Sequence, residues 1–209
     1  MLSGVQVLYH SSIKIKKDLT IYVDPYKIEE EYADADIIFI THTHFDHFSI
    51  PDIKKITKED TVIVTVPDTE EELKNIGFNP EEIVVVKPNS KYKVKNIEFK
   101  TVPAYNVKKE FHPKSKLWVG YNIKINEKWY YILGDTDNIK EVAAVKADVM
   151  FVPVGGTYTM DYKEAAKLVN EVKPVVAIPT HYGSVVGNKS DAFEFTRLLN
   201  KQIDYEIYF

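Results

Sequence analysis

The sequence predicts an α+β fold in which two sheets carry helices on their outer faces. Eleven short runs of alternating or β-branched apolar residues fall along the 209 positions, against five segments with helical spacing. The order is mostly strands first, with strand-helix-strand units later, and outside helices are what two such sheets need to cover every apolar face.

The strand-like runs lie at 5–9, 19–23, 37–41, 61–66, 83–86, 97–102, 117–125, 129–133, 149–154, 175–179 and 205–208. Helical spacing is clearest at 161–172, where Asp161 and Glu164 form a capping pair and Ala165, Leu168, Val169 and Val172 make an apolar stripe. Shorter helices read at 50–56, 70–76, 139–145 and 191–199, and Asn126-Glu127 marks a hairpin turn. No Gly/Ser linker, low-complexity stretch or internal repeat cuts the chain, so a single domain over 1–209 is expected.

Composition narrows the function classes. With 27 Lys+Arg against 31 Asp+Glu and a net charge of −4, no basic footprint argues for nucleic acid as a partner. Apolar runs are strand-length, below the ~20 residues that span a bilayer, so no membrane partner is expected. The start, Met1-Leu2-Ser3-Gly4, lacks the basic and long apolar regions of a secretory signal, and a cytoplasmic location is the expectation. The absence of cysteine removes disulfides, thiolate nucleophiles, iron–sulfur clusters and sulfur-ligated zinc together. Any metal must be held by His, carboxylate or amide groups.

Six strand-like runs end in a polar residue or turn of unusual type. They lead into His10, His42, Asn106, Asp135, a Gly-Gly-Thr turn at 155–157, and His181. Loops beyond strand C-termini are where sites assemble in layered α/β proteins. Five of the six histidines lie at such ends or in the loop continuing from one, and His112 follows Asn106 by six residues. The densest cluster is Thr41-His42-Thr43-His44-Phe45-Asp46-His47. His42 and His44, two apart in an extended segment, project to one side and can share an ion. Asp46 and His47 lie past them and can reach a second ion. Imidazole and carboxylate together suit zinc, manganese, iron or nickel.

The His42-x-His44-x-Asp46-His47 loop, Gly134-Asp135-Thr136 and Pro179-Thr180-His181-Tyr182-Gly183, each after an apolar strand, resemble the metallo-β-lactamase superfamily of metal-dependent hydrolases. The resemblance spans essentially the whole chain in motif order. It is closest to the compact branch of ascorbate-6-phosphate lactonase-like and uncharacterised metal-dependent hydrolases, through Tyr9-His10-Ser11-Ser12, Val23-Asp24-Pro25 and the segment 153–160. It implies a four-layer αββα sandwich with two divalent ions at one edge, zinc foremost, with manganese, iron or nickel as alternatives. It puts His42 and His44 on the first metal, Asp46, His47 and His181 on the second, and Asp135 between them. The family's usual third histidine of the first metal falls at Asn106, whose amide oxygen is a weaker zinc ligand, and His112 could swing in to replace it.

The implied reaction is hydrolysis of an ester, lactone or phosphodiester by a water whose pKa the metal lowers toward ~7. Asp46 would orient or deprotonate that water, and His10 and His112 are expected to contact substrate or transfer protons. Lys108, Lys109, Lys114 and Lys116 against Glu110 give one loop a charge of +3, which would draw a small anionic substrate. Asn106, Lys114 and Tyr182 are the candidate substrate contacts. The rival from another class is a metal- or anion-binding module of the same fold with little catalysis, motivated by Asn106. The length leaves no room for the flavin domain of flavodiiron oxygen reductases, and neither length nor charge suits the nucleic-acid-processing branch with its inserted domain.

Overall fold

Residues 1–208 are described by a computed structural model, in which the chain divides into two units, 1–86 with Tyr208 and 87–207. The first unit orders its strands as they occur in the chain: β1 (Val5–Tyr9), β2 (Ser12–Lys16), β3 (Thr20–Val23), β4 (Ala35–Phe39), β5 (Thr57–Thr65) and β6 (Ile83–Val85). β2 runs antiparallel to both β1 and β3, and all later pairings are parallel. Five of the six strands therefore point the same way, and their C-terminal ends share one edge. The parallel crossovers use α1 (Ile50–Ile56), started by a proline whose missing N–H costs nothing there, and α2 (Glu70–Asn75). Ile53, Ile56 and Leu73 from these helices join Tyr22, Ile38 and Ile63 in one core. Ile37, Phe39 and Val64, on the other face, are equally buried, so these strands read as continuous apolar runs rather than alternating ones.

The second unit holds β7 (Lys91–Val94), β8 (Ile97–Pro103), β9 (Val119–Ile125), β10 (Lys128–Ile132), β11 (Val149–Pro153), β12 (Val176–Thr180) and β13 (Asp204–Tyr205), again in chain order across the sheet. β7 to β10 form an antiparallel meander, and β10 to β13 are parallel through α3 (Lys140–Ala143), α4 (Tyr162–Val172) and α5 (Lys189–Arg197). The ends of β8, β10, β11 and β12 consequently lie at one edge. The expected hairpin turn closes with positive φ at both Asn126 (48°) and Glu127 (61°), the two-residue geometry that matches strand twist. Ala165, Ala166, Leu168 and Val169 of α4 pack with Met150, Val152, Ala177 and Phe195.

Two strands escape the sequence pattern, for opposite reasons. In β2 a lysine alternates with Ile13 and Ile15, yet Lys14 is buried. Its ammonium meets Asp34 at 2.9 Å and lies 4.3 and 4.9 Å from the Tyr32 and Tyr22 ring centres. β7 is an edge strand whose exposed Lys91 and Lys93 guard it against further pairing, at the expense of apolar signal. The last helix begins at Lys189, two residues before expectation, because the Asn188 N–H donates to Asp191 Oδ2 (2.7 Å) in a capping box. Among the described residues, no helix is long and apolar enough to cross a membrane.

The α4 cap is fully formed. Asp161 Oδ1 accepts from the N–H groups of Lys163 and Glu164, both at 2.8 Å, while Glu164 accepts from the Asp161 N–H. Asp161→Ala is expected to lower unfolding free energy by ~1 kcal/mol in denaturant titrations. An unchanged midpoint would mean that this cap carries no weight.

Candidate metal centre

In the first unit, three strand ends supply the polar groups. His10 follows β1 directly and Asp24 follows β3, both in the left-handed region (φ 55° and 47°), which lifts their side chains out of the pleat and over the sheet edge. The loop after β4 carries residues 41–47 and curls where the His47 and Phe48 N–H groups donate to the His44 carbonyl (2.9 and 2.8 Å).

Asp24 organises this loop. It is 1% exposed; its Oδ1 accepts from the Thr41 N–H (2.8 Å) and its Oδ2 from the Thr41 hydroxyl (2.7 Å), while His47 Nδ1 stands 2.7 Å from the same Oδ2. The Thr41 hydroxyl is in turn 2.9 Å from His42 Nδ1. With Nδ1 of both rings engaged, Nε2 is the atom each can offer a metal. Burial pushes the Asp24 carboxyl above its ordinary value, opposed by His47 and Thr41. His42 and His44 bring ligand atoms within 4.8 Å of each other. Asp46 Oδ2 lies 3.3 Å from His10 Nε2 and 3.7 Å from His47 Nε2.

The second unit builds a matching set. Asp135 follows β10 through Gly134, whose φ of 64° makes the turn, and His181 follows β12 in the same left-handed region (59°). Asp135 Oδ2 lies 3.1 Å from His181 Nε2 and 3.2 Å from His112 Nε2. The Gly155 turn packs so closely that an added Cβ would overlap the His181 carbonyl oxygen.

Asn106 holds His112 in place. Its Oδ1 accepts the His112 backbone N–H and lies 3.1 Å from His112 Nδ1, and its Nδ2 donates to Asp137 Oδ1 (3.1 Å) and the Tyr158 carbonyl (2.9 Å). Lys109 and Lys114 of this loop are engaged inside this unit. Lys109 reaches Asp137 at 2.9 Å and the Thr159 carbonyl at 2.7 Å, and Lys114 lies 3.4 Å from Glu141 and 3.3 Å from the Tyr105 hydroxyl. Tyr182 packs half-buried against the core, which raises its phenol to about 12.

Each unit thus gathers its own predicted ligands: His42, His44, Asp46 and His47 with His10 in one, Asp135 and His181 with His112 in the other. Asp24 was not anticipated as part of a site, although Val23-Asp24-Pro25 shows the same strand-then-polar-residue signal as the other ends. The donor chemistry fits a divalent transition metal. Except for the half-buried His44, these imidazoles and carboxylates are buried, and His42, His47 and His112 are turned by hydrogen bonds at Nδ1.

Two mixed sheets with flanking helices, and edges lined by such donors, define a class that comparison bears out. The chain belongs to the metallo-β-lactamase superfamily: the family model described as Beta-lactamase superfamily domain matches residues 4–181. Within it the chain falls in the compact metal-dependent hydrolase branch. A UPF0173 metal-dependent hydrolase of Nanoarchaeum equitans is 29% identical over 201 residues, covering 92% of this chain and 90% of that protein. Another, of Thermoplasma acidophilum, is 30% identical over 195 residues, covering 85% and 82%. The solved structure of a candidate metal-dependent hydrolase from Parabacteroides distasonis aligns with TM-score 0.83 at 30% identity, over 98% of this chain and 91% of that one. A metallo hydrolase from Ignicoccus hospitalis shares the fold at 18% identity, with TM-score 0.74 over 97% and 93%.

Asp24→Asn keeps the side chain's shape but removes the charge behind His47. It is expected to weaken zinc binding by about 10- to 100-fold, read by competition with a chromophoric chelator. Undiminished affinity would make Asp24 a purely structural group.

Proposed function

We propose that the whole chain acts as one hydrolase domain with a dinuclear centre, most simply zinc, cleaving an ester, lactone or phosphodiester bond of a small anionic substrate. In this reading His42, His44 and His112 would hold one ion, Asp46, His47 and His181 would hold the other, and Asp135 would be available to both. The observation that carries it is the orientation of His47 and His42 by Asp24 and Thr41, an arrangement that directs Nε2 of each ring outward as a ligand. Bound metal would supply Lewis acidity toward the substrate oxygen and acidify a water.

The remaining work falls to side chains. Asp46, within reach of both His10 and His47, orients the attacking water, and His10 is placed to pass a proton to or from that carboxylate. Asn106 acts through His112 as a positioning residue. The anionic preference belongs to the Lys108–Lys116 loop as a whole, in which Lys109 and Lys114 also reach Asp137 and Glu141. A cytoplasmic setting belongs to the same reading, in keeping with the cysteine-free sequence. The rival binding module rested on the gap at Asn106, and His112 beside Asp135 offers the imidazole that the gap lacked.

His44→Ala and His47→Ala are expected to lose metal and to lower turnover of a generic substrate such as bis-nitrophenyl phosphate by more than about a hundredfold, with little loss of fold. Full metal content in both variants would sink the ligand assignment. In zinc titrations, His112→Ala should empty one of two sites, whereas Asn106→Ala should weaken that site about tenfold. Two equally tight sites in both variants would return Asn106 and His112 to substrate binding or structure.

A further inference from the structure

Among the described residues, two of the three most exposed phenylalanines are chain neighbours of candidate ligands. Phe45, 63% exposed, sits between His44 and Asp46, and Phe111, 46% exposed, directly precedes His112. Neither ring stands alone. Phe45 lies edge-on to Tyr26 with centroids 5.9 Å apart, and Tyr26 lies edge-on to Tyr9 at 5.8 Å. Phe111 meets Tyr158 edge-on at 4.7 Å. Contacts of this type fix ring orientation while leaving the other face open.

The supports of these rings are themselves anchored. Tyr26 rides on the turn after Asp24, where the backbone N–H groups of Lys27 and Ile28 both donate to the Asp52 carboxylate (2.9 Å each). Tyr158 is held by its carbonyl through Asn106, the residue that also orients His112. In the first unit His10, His42, Asp46 and His47 are buried and His44 is half-buried, so the solvent-facing side of the ligand loop is the His44–Phe45 edge. Phe45 is the most exposed residue of that loop, beside the half-buried Thr43 and His44. At the far end of the Tyr9 ring, Lys27 Nζ lies 3.1 Å from the Tyr9 hydroxyl and gives the wall a cationic rim.

We propose that Phe45 with Tyr26 beside the first unit's ligands, and Phe111 with Tyr158 beside the second unit's, each act as a specificity-determining surface that favours a substrate carrying an aromatic or comparably flat apolar group beside its scissile anionic or acyl centre. This rests on the metal-site reading above and adds the class of substrate to it. Each of these two exposed rings stands next in sequence to a candidate ligand and is met edge-on by a tyrosine.

The test compares phenylphosphonate with methylphosphonate binding to zinc-loaded protein by calorimetry, with zinc content measured in the same samples. Wild type is expected to bind phenylphosphonate about five- to tenfold more tightly, and the ratio should fall toward one in Phe45→Ala, Phe111→Ala and the double variant with zinc retained. Since both rings are exposed, these variants leave the core intact; Tyr26→Ala should lower the ratio in the same direction. Equal affinities in zinc-loaded wild type, no binding of either phosphonate, or a ratio that survives the double variant would each overturn the inference alone. Protein that takes up no zinc would overturn the metal reading and this inference with it.

Discussion

The buried carboxylate of Asp24 is the interaction on which the arrangement of the first ligand set depends. It takes two hydrogen bonds from Thr41, fixing where the chain leaves β4, and it stands against Nδ1 of His47 from behind. Through the same threonine hydroxyl it also determines which nitrogen His42 presents. One desolvated anion therefore positions two imidazoles five residues apart and the backbone between them. Burying such a group is expensive unless charge or hydrogen bonds compensate, and the three contacts are what keep Asp24 tolerable at 1% exposure. A metal on the far side of His47 would complete that compensation, since it strengthens the charge the carboxylate faces.

Strand direction explains why polar groups from distant parts of the chain meet at sheet edges. In the first unit only β2 opposes the rest, and in the second β8 runs with β10, β11 and β12. Each polar residue at a strand end is thereby delivered to a common edge, however far apart the strands lie in sequence. The apolar runs before those residues do the rest: with Ile37, Phe39, Phe151 and Ile178 fully buried, the strands cannot slide in register without exposing them.

Much of this was legible in the sequence, because the signal for a strand and the signal for a ligand follow one another at the same places. The helix at 162–172 was readable from its capping pair and stripe, and the metal-ligand candidates from histidines clustered after apolar runs. What was hidden depended on partners distant in sequence. The β2 strand could not be seen because burial of Lys14 requires Asp34 and two tyrosines that only the fold supplies. Asp24 stood in a motif of the resemblance without a role of its own until Thr41 and His47 came to it. Asn106 read as a missing ligand, whereas its amide oxygen sits against His112, a relation that requires the loop 106–112 to fold back on itself. The charge of that loop was legible as a sum but not as a surface, since Asp137 and Glu141 come from elsewhere in the chain.

Three of the thirteen non-glycine residues with positive φ among the described residues fall at these strand ends. His10, Asp24 and His181 each take the first place after a strand, and each adopts φ between 47° and 59°. That conformation costs an L-residue about 1 kcal/mol, least for Asp and His, whose side chains can bond locally. It persists because the backbone there is held: Asp24 by its own N–H to the Phe39 carbonyl and its bonds to Thr41, and His181 by a carbonyl packed against Gly155, where any added Cβ would overlap it. In an extended strand the next side chain would point into one face of the sheet, where apolar neighbours already fill the space. A single left-handed residue redirects it over the edge without an intervening loop, and so places the ligand within one residue of the rigid sheet. The donor atoms inherit the stiffness of the strands, the condition under which a metal or substrate finds its geometry already formed.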